Sequence, residues 1–176
     1  MQQTILTMLA LLIASLLSLN HKQAILQSQR GAVRAELTEM ALGVAQQSME
    51  VVRARAYDDS TRGTLNGTVT SASDLTPTAS FPSGRHCEGF AGSQVCNDVD
   101  DFHQMTSATV PFQLPEGEQF DFTVDIQVQY VDDNLTPTGG PRSFRKKITI
   151  FVQDDPSGRP PRLATPIEYS EVVSYP

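Results

Sequence analysis

The chain reads as an α+β protein, a long N-terminal helix followed by a small antiparallel sheet, and three observations predict it. Residues 1–19 carry no charged side chain, and the first proline in the chain is Pro77. A helical apolar pattern continues behind that span to about residue 56. Residues 120–131 and 143–153 alternate apolar with polar side chains over the length of a strand. The 176 residues therefore divide into a helix over 1–56 and a β-rich head over 57–176. Roughly 120 residues outside the helix are enough for one modest core. They hold all eleven prolines, and the chain contains no tryptophan.

The helix has two halves. Residues 1–19, at a rise of 1.5 Å each, extend about 28 Å, close to the hydrocarbon thickness of a bilayer. Ile5, Leu9, Leu12, Ile13, Leu16 and Leu19, with Met1 at the start, point to all sides of it. A helix apolar all round belongs in lipid or inside an assembly. Thr4, Thr7, Ser15 and Ser18 can bond back to their own backbone. A cleaved signal, a single-pass anchor and an assembly rod are the three readings. The signal reading lacks a basic leading region and a small-residue cleavage site. The nearest basic residues, Lys22, Arg30 and Arg34, follow the span and would place the head in the cytoplasm. A short basic leader, cut to leave Met1 first, would reverse that orientation.

Residues 20–56 form an amphipathic stalk. Val33, Leu37, Met40, Val44, Ser48 and Val51 recur at spacings of three and four, and Ala41, Ala45 and Val52 widen the stripe. Arg34, Glu39, Gln46, Glu50 and Arg53 occupy the other face, with Glu50 and Arg53 at ion-pair spacing. The stripe is expected to pack on the chain's own sheet. Gly31 and Gly43 interrupt it at about 1 kcal/mol each relative to alanine.

In the head, Phe120, Phe122, Val124, Ile126, Val128 and Tyr130 alternate with Asp121, Thr123, Asp125, Gln127 and Gln129. A turn-rich connection with Pro137, Gly139, Gly140 and Pro141 leads to the next strand, so an antiparallel hairpin follows. Phe144, Ile148, Ile150 and Val152 would share its buried face. Asp121 and Asp125 are expected to meet Arg145 and Lys147 on the wet one. Residues 107–114 are a third strand candidate, which Pro111 demotes to an edge or a broken strand. Residues 60–86 read as a long surface loop. The proline-rich tail over 155–166 should be extended, and IEYSEVVSYP after it reads as an edge strand or a docked arm. A strand donated to a neighbouring copy is its sharper alternative.

Charge and cysteines narrow the function classes. Residues 1–56 hold five basic and three acidic side chains, a balance of +2, and residues 57–176 hold eight and seventeen, a balance of −9. Nucleic-acid binding needs clustered Lys and Arg and is not expected of so acidic a head. Cys87 and Cys96, with eight residues between them, would close a small disulfide loop in an exported domain. Such a loop is worth about 2–3 kcal/mol. Zinc is the competing reading, opposed by the lack of a CxxC or a second ligand pair.

Catalytic constellations are missing. His21, His86 and His103 lack partner motifs, and no nucleophile elbow, phosphate loop or HExxH occurs. The chain does not read as an enzyme, and no cofactor is expected. Asp98, Asp100 and Asp101, beside Asn97, are weak Ca²⁺ candidates without the EF-hand glycine and glutamate, and turn-capping is the stronger reading. Asn66 and Asn134 each begin an N-x-T sequon in an expected loop and are possible glycosylation sites.

Residues 42–59, LGVAQQSMEVVRARAYDD, run a small-residue helix into an E-x-x-R turn, and residues 97–103, NDVDDFH, precede the strand pair. In these segments and the strand pair the sequence resembles minor type IV pilins and pseudopilins, including the mannose-sensitive haemagglutinin type. The resemblance implies a lollipop-like fold, with the apolar half of the helix protruding and the amphipathic half packed on the sheet. It further implies a structural subunit of an extracellular filament, a homopolymer joined through its N-terminal helices. Such a subunit rests in the inner membrane before assembly and needs a prepilin peptidase and a pilus assembly machinery. A monomeric membrane-anchored binding module and a low-copy tip pilin are the alternatives. The sequence departs from the family at Ile5, where most members carry glutamate, and in lacking a proline near the end of the span.

Overall fold

The computed structural model describes residues 2–62, 69–114, 117, 119–154, 163 and 165–175, without the side chains of residues 2, 4 and 10. Met1, Asn66 and most of the 155–166 tail lie outside the described residues. The fold is α+β. One helix, α1, spans Gln2–Arg53 and is followed by four strands, β1 (Met105–Gln113), β2 (Gln119–Tyr130), β3 (Arg145–Asp154) and β4 (Ile167–Ser174). The chain divides into two compact units, Met1–Leu37 and Thr38–Pro176.

In the first unit every described side chain from residue 3 to residue 36 is exposed. Val33, assigned to the packed stripe by its spacing, is 54% exposed. Burial on the helix begins only at Leu37. Ser15 Oγ donates to the Leu11 carbonyl at 2.8 Å, the back-bond expected of a hydroxyl on an apolar helix.

In the second unit the helix packs on the sheet. Met40, Ala41, Val44, Ala45, Ser48, Met49 and Val52 are buried, whereas Val51 is only half-buried. The seam therefore runs through Met49 and Val52, with the small side chains at 41, 45 and 48 buried along it. Arg53 closes the last turn, 3.7 Å from Glu50 and 2.9 Å from Glu171 on β4, where a cation also suits the helix dipole.

The sheet is an antiparallel meander in the order β1-β2-β3-β4. Val124 pairs with Val152, Ile126 with Ile150 and Val128 with Ile148, which sets both inward rows of the hairpin against each other. That register corrects the expected charge pairing on the wet face. Asp125 stands opposite Phe151 and Lys147 opposite Gln129, while Asp121 faces Pro111 on β1. Arg145 instead bridges to Asp133 at 2.8 Å. Burial of the apolar rows fixes the register, and the charges take what it leaves.

β1 is an edge strand and carries Pro111, as its sequence requires. It also bulges between Met105 and Ala108, with Ser107 at φ +56°, and the Ser107 N–H donates to Asp125 Oδ1 at 2.7 Å. The bulge turns Met105 and Ala108 both inward although they are three residues apart. β4 pairs with β3 from Val152↔Ile167 to Arg145↔Ser174, so the last strand completes its own sheet.

Residues 60–86 contain no strand among the described residues but are not wholly superficial. Short 3₁₀ turns at Ala72–Asp74 and Thr78–Ser80 bring Leu75 and Phe81 into the core. The disulfide Cys87–Cys96 forms, with both cysteines buried. Its loop holds Phe90 edge-on to Phe102 at 5.8 Å, and a Cβ at Gly92 would overlap the His86 carbonyl.

His103 leaves the 3₁₀ turn Val99–Phe102 and accepts the Val128 N–H on Nδ1 at 3.4 Å. Burial holds its pKa below the ordinary 6.5. Between the depressed value and 6.5 the unfolded chain binds the proton more readily, so this site's stability is present above 6.5 and lost on acidification. Denaturation midpoints should fall as pH drops below about 6.5, and His103→Gln should flatten that slope; an unchanged slope would contradict this account.

Candidate functional site

Two features stand apart from ordinary packing: the uncovered apolar surface of α1 and a charged cluster closed inside the second unit. On the helix, Ile5 is 68% exposed, and Leu9, Leu12, Ile13, Leu16 and Leu19 are exposed to a similar degree, half or more. Leu6, Met8, Leu11 and Leu17 fill the spaces between them. The segment is long and apolar enough to cross a membrane, with a mean hydropathy of 1.6 in its richest window and none of that window buried. Monomeric soluble domains rarely leave a contiguous apolar surface of this extent without a partner.

The charged cluster centres on Lys146. Strand alternation sends it to the same face as Ile148, Ile150 and Val152, and it is fully buried. Its Nζ donates to the Tyr57 carbonyl at 2.8 Å, to Asp58 Oδ2 at 2.9 Å and to Asp100 Oδ2 at 2.8 Å. These three bonds use all three ammonium hydrogens. The rings of Tyr57, Tyr130 and Phe81 surround the same nitrogen at 4.3, 5.0 and 5.5 Å.

The backbone explains how the partners meet. As the chain leaves α1, Ala56 and residues 97–99 exchange hydrogen bonds, Ala56 N–H to the Asn97 carbonyl and Val99 N–H to the Ala56 carbonyl. That short parallel bridge sets Asp58 beside the turn bearing Asp100, and the disulfide anchors the approach to that turn. β2 supplies Tyr130, which lies directly opposite Lys146 in register.

The two carboxylates have different surroundings. Asp58 caps the 3₁₀ turn Asp59–Thr61 and accepts from the Ser60 N–H and hydroxyl, the Thr76 N–H and hydroxyl, and the Tyr130 hydroxyl. Burial raises its pKa, but the Lys146 charge and these bonds outweigh it and hold the group well below the usual carboxylate range. Among the described residues the Asp100 carboxyl bonds only to Lys146. Burial dominates there, with Asp58 and Asp98 adding repulsion, and its pKa is pushed up to about 8. Asp100 Oδ1 has no hydrogen-bond partner among the described residues. Asp100 is one of the residues lining a cleft of about 390 Å³, with Asp59, Arg62, Thr76 and Arg85.

The weak Ca²⁺ candidates are thus each committed elsewhere. Asp98 accepts the Asp101 N–H as an N-cap, and Asp101 accepts from Arg85 at 2.8 Å and from the Asn97 N–H at 2.7 Å. Among the described residues no group of three or more His, Cys, Asp or Glu is arranged to hold a metal ion. Asn134 lies exposed in the turn after β2, where its N–H donates to Asp132.

Sequence reasoning assigned Phe144, Ile148, Ile150 and Val152 to the inward face of β3 and passed over Lys146, which has the same parity. Counting that parity through would have placed a lysine in the core and called for a buried acid. The identity of the acids depends on the Ala56 bridge, which no local pattern announces.

Replacing Lys146 by methionine should lower the unfolding free energy by about 3–5 kcal/mol, because Asp58 would remain as a buried, uncompensated charge. Urea denaturation of K146M against the parent chain reads this directly. A loss below about 1 kcal/mol would contradict the cluster's structural role.

A scan against protein-family models, a search of curated proteins and a search of solved structures find no match to this chain. Its likeness to type IV pilins rests on its own long helix with an apolar stretch, its small antiparallel sheet and its disulfide.

Proposed function

We propose that the chain is a structural subunit of a type IV pilin-like helical filament. The observation that carries this reading is the change of environment along a single helix. From residue 40 onward α1 buries a stripe on its own sheet, whereas from Ile5 to Leu19 its described apolar side chains are exposed. A bilayer satisfies such a surface before assembly, and equivalent helices of neighbouring copies satisfy it afterwards. At about 25 cal/mol per Å² of apolar area kept from water, a rod of this length is strongly held in the bilayer or the filament, and packing between helices drives the exchange of one for the other.

In this reading the acidic heads form the outer wall and the disulfide stiffens the part exposed to an oxidising exterior. The subunit is held in the inner membrane, processed by a prepilin peptidase and drawn out by an assembly motor.

Electron microscopy of sheared surface material should show ordered filaments that contain this chain. Ile13→Asp should abolish them while leaving the disulfide-bonded head folded, since a carboxylate near the middle of an apolar span costs roughly 2.5–3.5 kcal/mol. Recovery of the parent chain solely as detergent-extracted monomer would contradict the filament and favour a tethered binding module.

A further inference from the structure

We propose that Lys146 and Asp100 condense spontaneously into an intramolecular isopeptide bond, with Asp58 as the proton-transferring group, so that β3 is covalently joined to the turn that follows the disulfide loop. The proposal is independent of the filament reading, because every group involved lies in the second unit and no second copy is needed.

The geometry supplies the reactants. Lys146 Nζ is 2.8 Å from Asp100 Oδ2, which sets the amine beside the Cγ that it would attack. Nζ is also 2.9 Å from Asp58 Oδ2, within direct proton-transfer reach. Lys146 and Asp58 are fully buried and Asp100 is 1% exposed. The rings of Tyr57, Phe81 and Tyr130 wall off the nitrogen. Held groups of this kind react with effective molarities of roughly 10⁵–10⁸ M, enough to drive a condensation that dilute reactants in water do not undergo.

The roles of the two acids follow from their partners. Asp58 accepts from Ser60, Thr76 and Tyr130 in addition to Lys146, which favours its anion and makes it a base rather than an electrophile. Asp100 lacks such donors. Its burial keeps the carboxyl largely protonated at neutral pH, and a carboxylic acid, unlike a carboxylate, has a hydroxyl to lose. Asp100 Oδ1 has no hydrogen-bond partner among the described residues, and Asp100 is one of the residues lining the 390 Å³ cleft into which the water would depart.

The step balances without any further reagent. Asp58 takes one proton from the Lys146 ammonium, and the free amine adds to Cγ of protonated Asp100. Asp58 returns that proton to the departing hydroxyl, which leaves as water through the cleft. Loss of the second nitrogen proton to Asp58 completes a secondary amide. One C–N bond has formed, one C–O bond has broken, and Asp58 ends as the neutral acid; net charge is unchanged and nothing is oxidised.

The test is the intact mass of the purified full chain after disulfide reduction, followed by peptide mapping. The expected mass is lower than that of the unmodified polypeptide by one water, about 18 Da. Trypsin should fail to cut after Lys146, and a branched peptide should join the Lys146 segment to the Asp100 segment. Lys146→Arg and Asp100→Ala should each restore the full polypeptide mass. The full mass in the parent chain would overturn the proposal, and so would a water loss that maps to an aspartimide. A branch to Asp58, or a water loss retained in D100A, would overturn the assignment of Asp100. The parent-chain measurement does not depend on either variant folding.

Discussion

The structure depends on where α1 finds cover. A helix of 52 residues extends about 78 Å, far more than one small sheet can protect. The sheet receives the stripe from Met40 to Val52, in which Ala41, Ala45 and Ser48 are buried. Toward the N-terminus the apolar residues no longer form a stripe but surround the axis, and every described side chain from residue 3 to residue 36 is exposed.

Within the head, stability is arranged around a contradiction, a lysine in the middle of a β core. Removing an ammonium from water costs several kcal/mol, and only a full set of acceptors offsets it. The chain collects them from separated places: the Tyr57 carbonyl and Asp58 just beyond the helix, and Asp100 in the turn after the disulfide loop. Lys146 therefore couples the end of the helix, the disulfide region and the sheet.

Much of this organisation was legible in the sequence because it follows periodicity. The uncharged span, the helix expected to about residue 56 and ending at Arg53, the alternation over 120–131, the demotion of the 107–114 strand by Pro111 and the cysteine pair are local signals. What escaped was long-range. The pairing of Asp121 and Asp125 with Arg145 and Lys147 failed because the apolar rows, not the charges, set the hairpin register. Val33 failed because helical spacing says which face a residue occupies but not how far the sheet extends beneath it. Leu75 and Phe81 were hidden in a segment whose composition signals loop, although its 3₁₀ turns deliver both to the core. The acids around Lys146 could not be read at all, since residues 58, 100 and 146 meet only after the Ala56 bridge forms.

The central claim is that the exposed apolar face of α1 is covered by the same face of other copies. Cysteines placed at Ile5 and Leu16, two heights on that face, test it when assembled surface material is washed free of lipid and oxidised. The account predicts a ladder of covalent multiples extending beyond the dimer, absent from the parent chain. A product that stays monomeric under the same oxidation would contradict it.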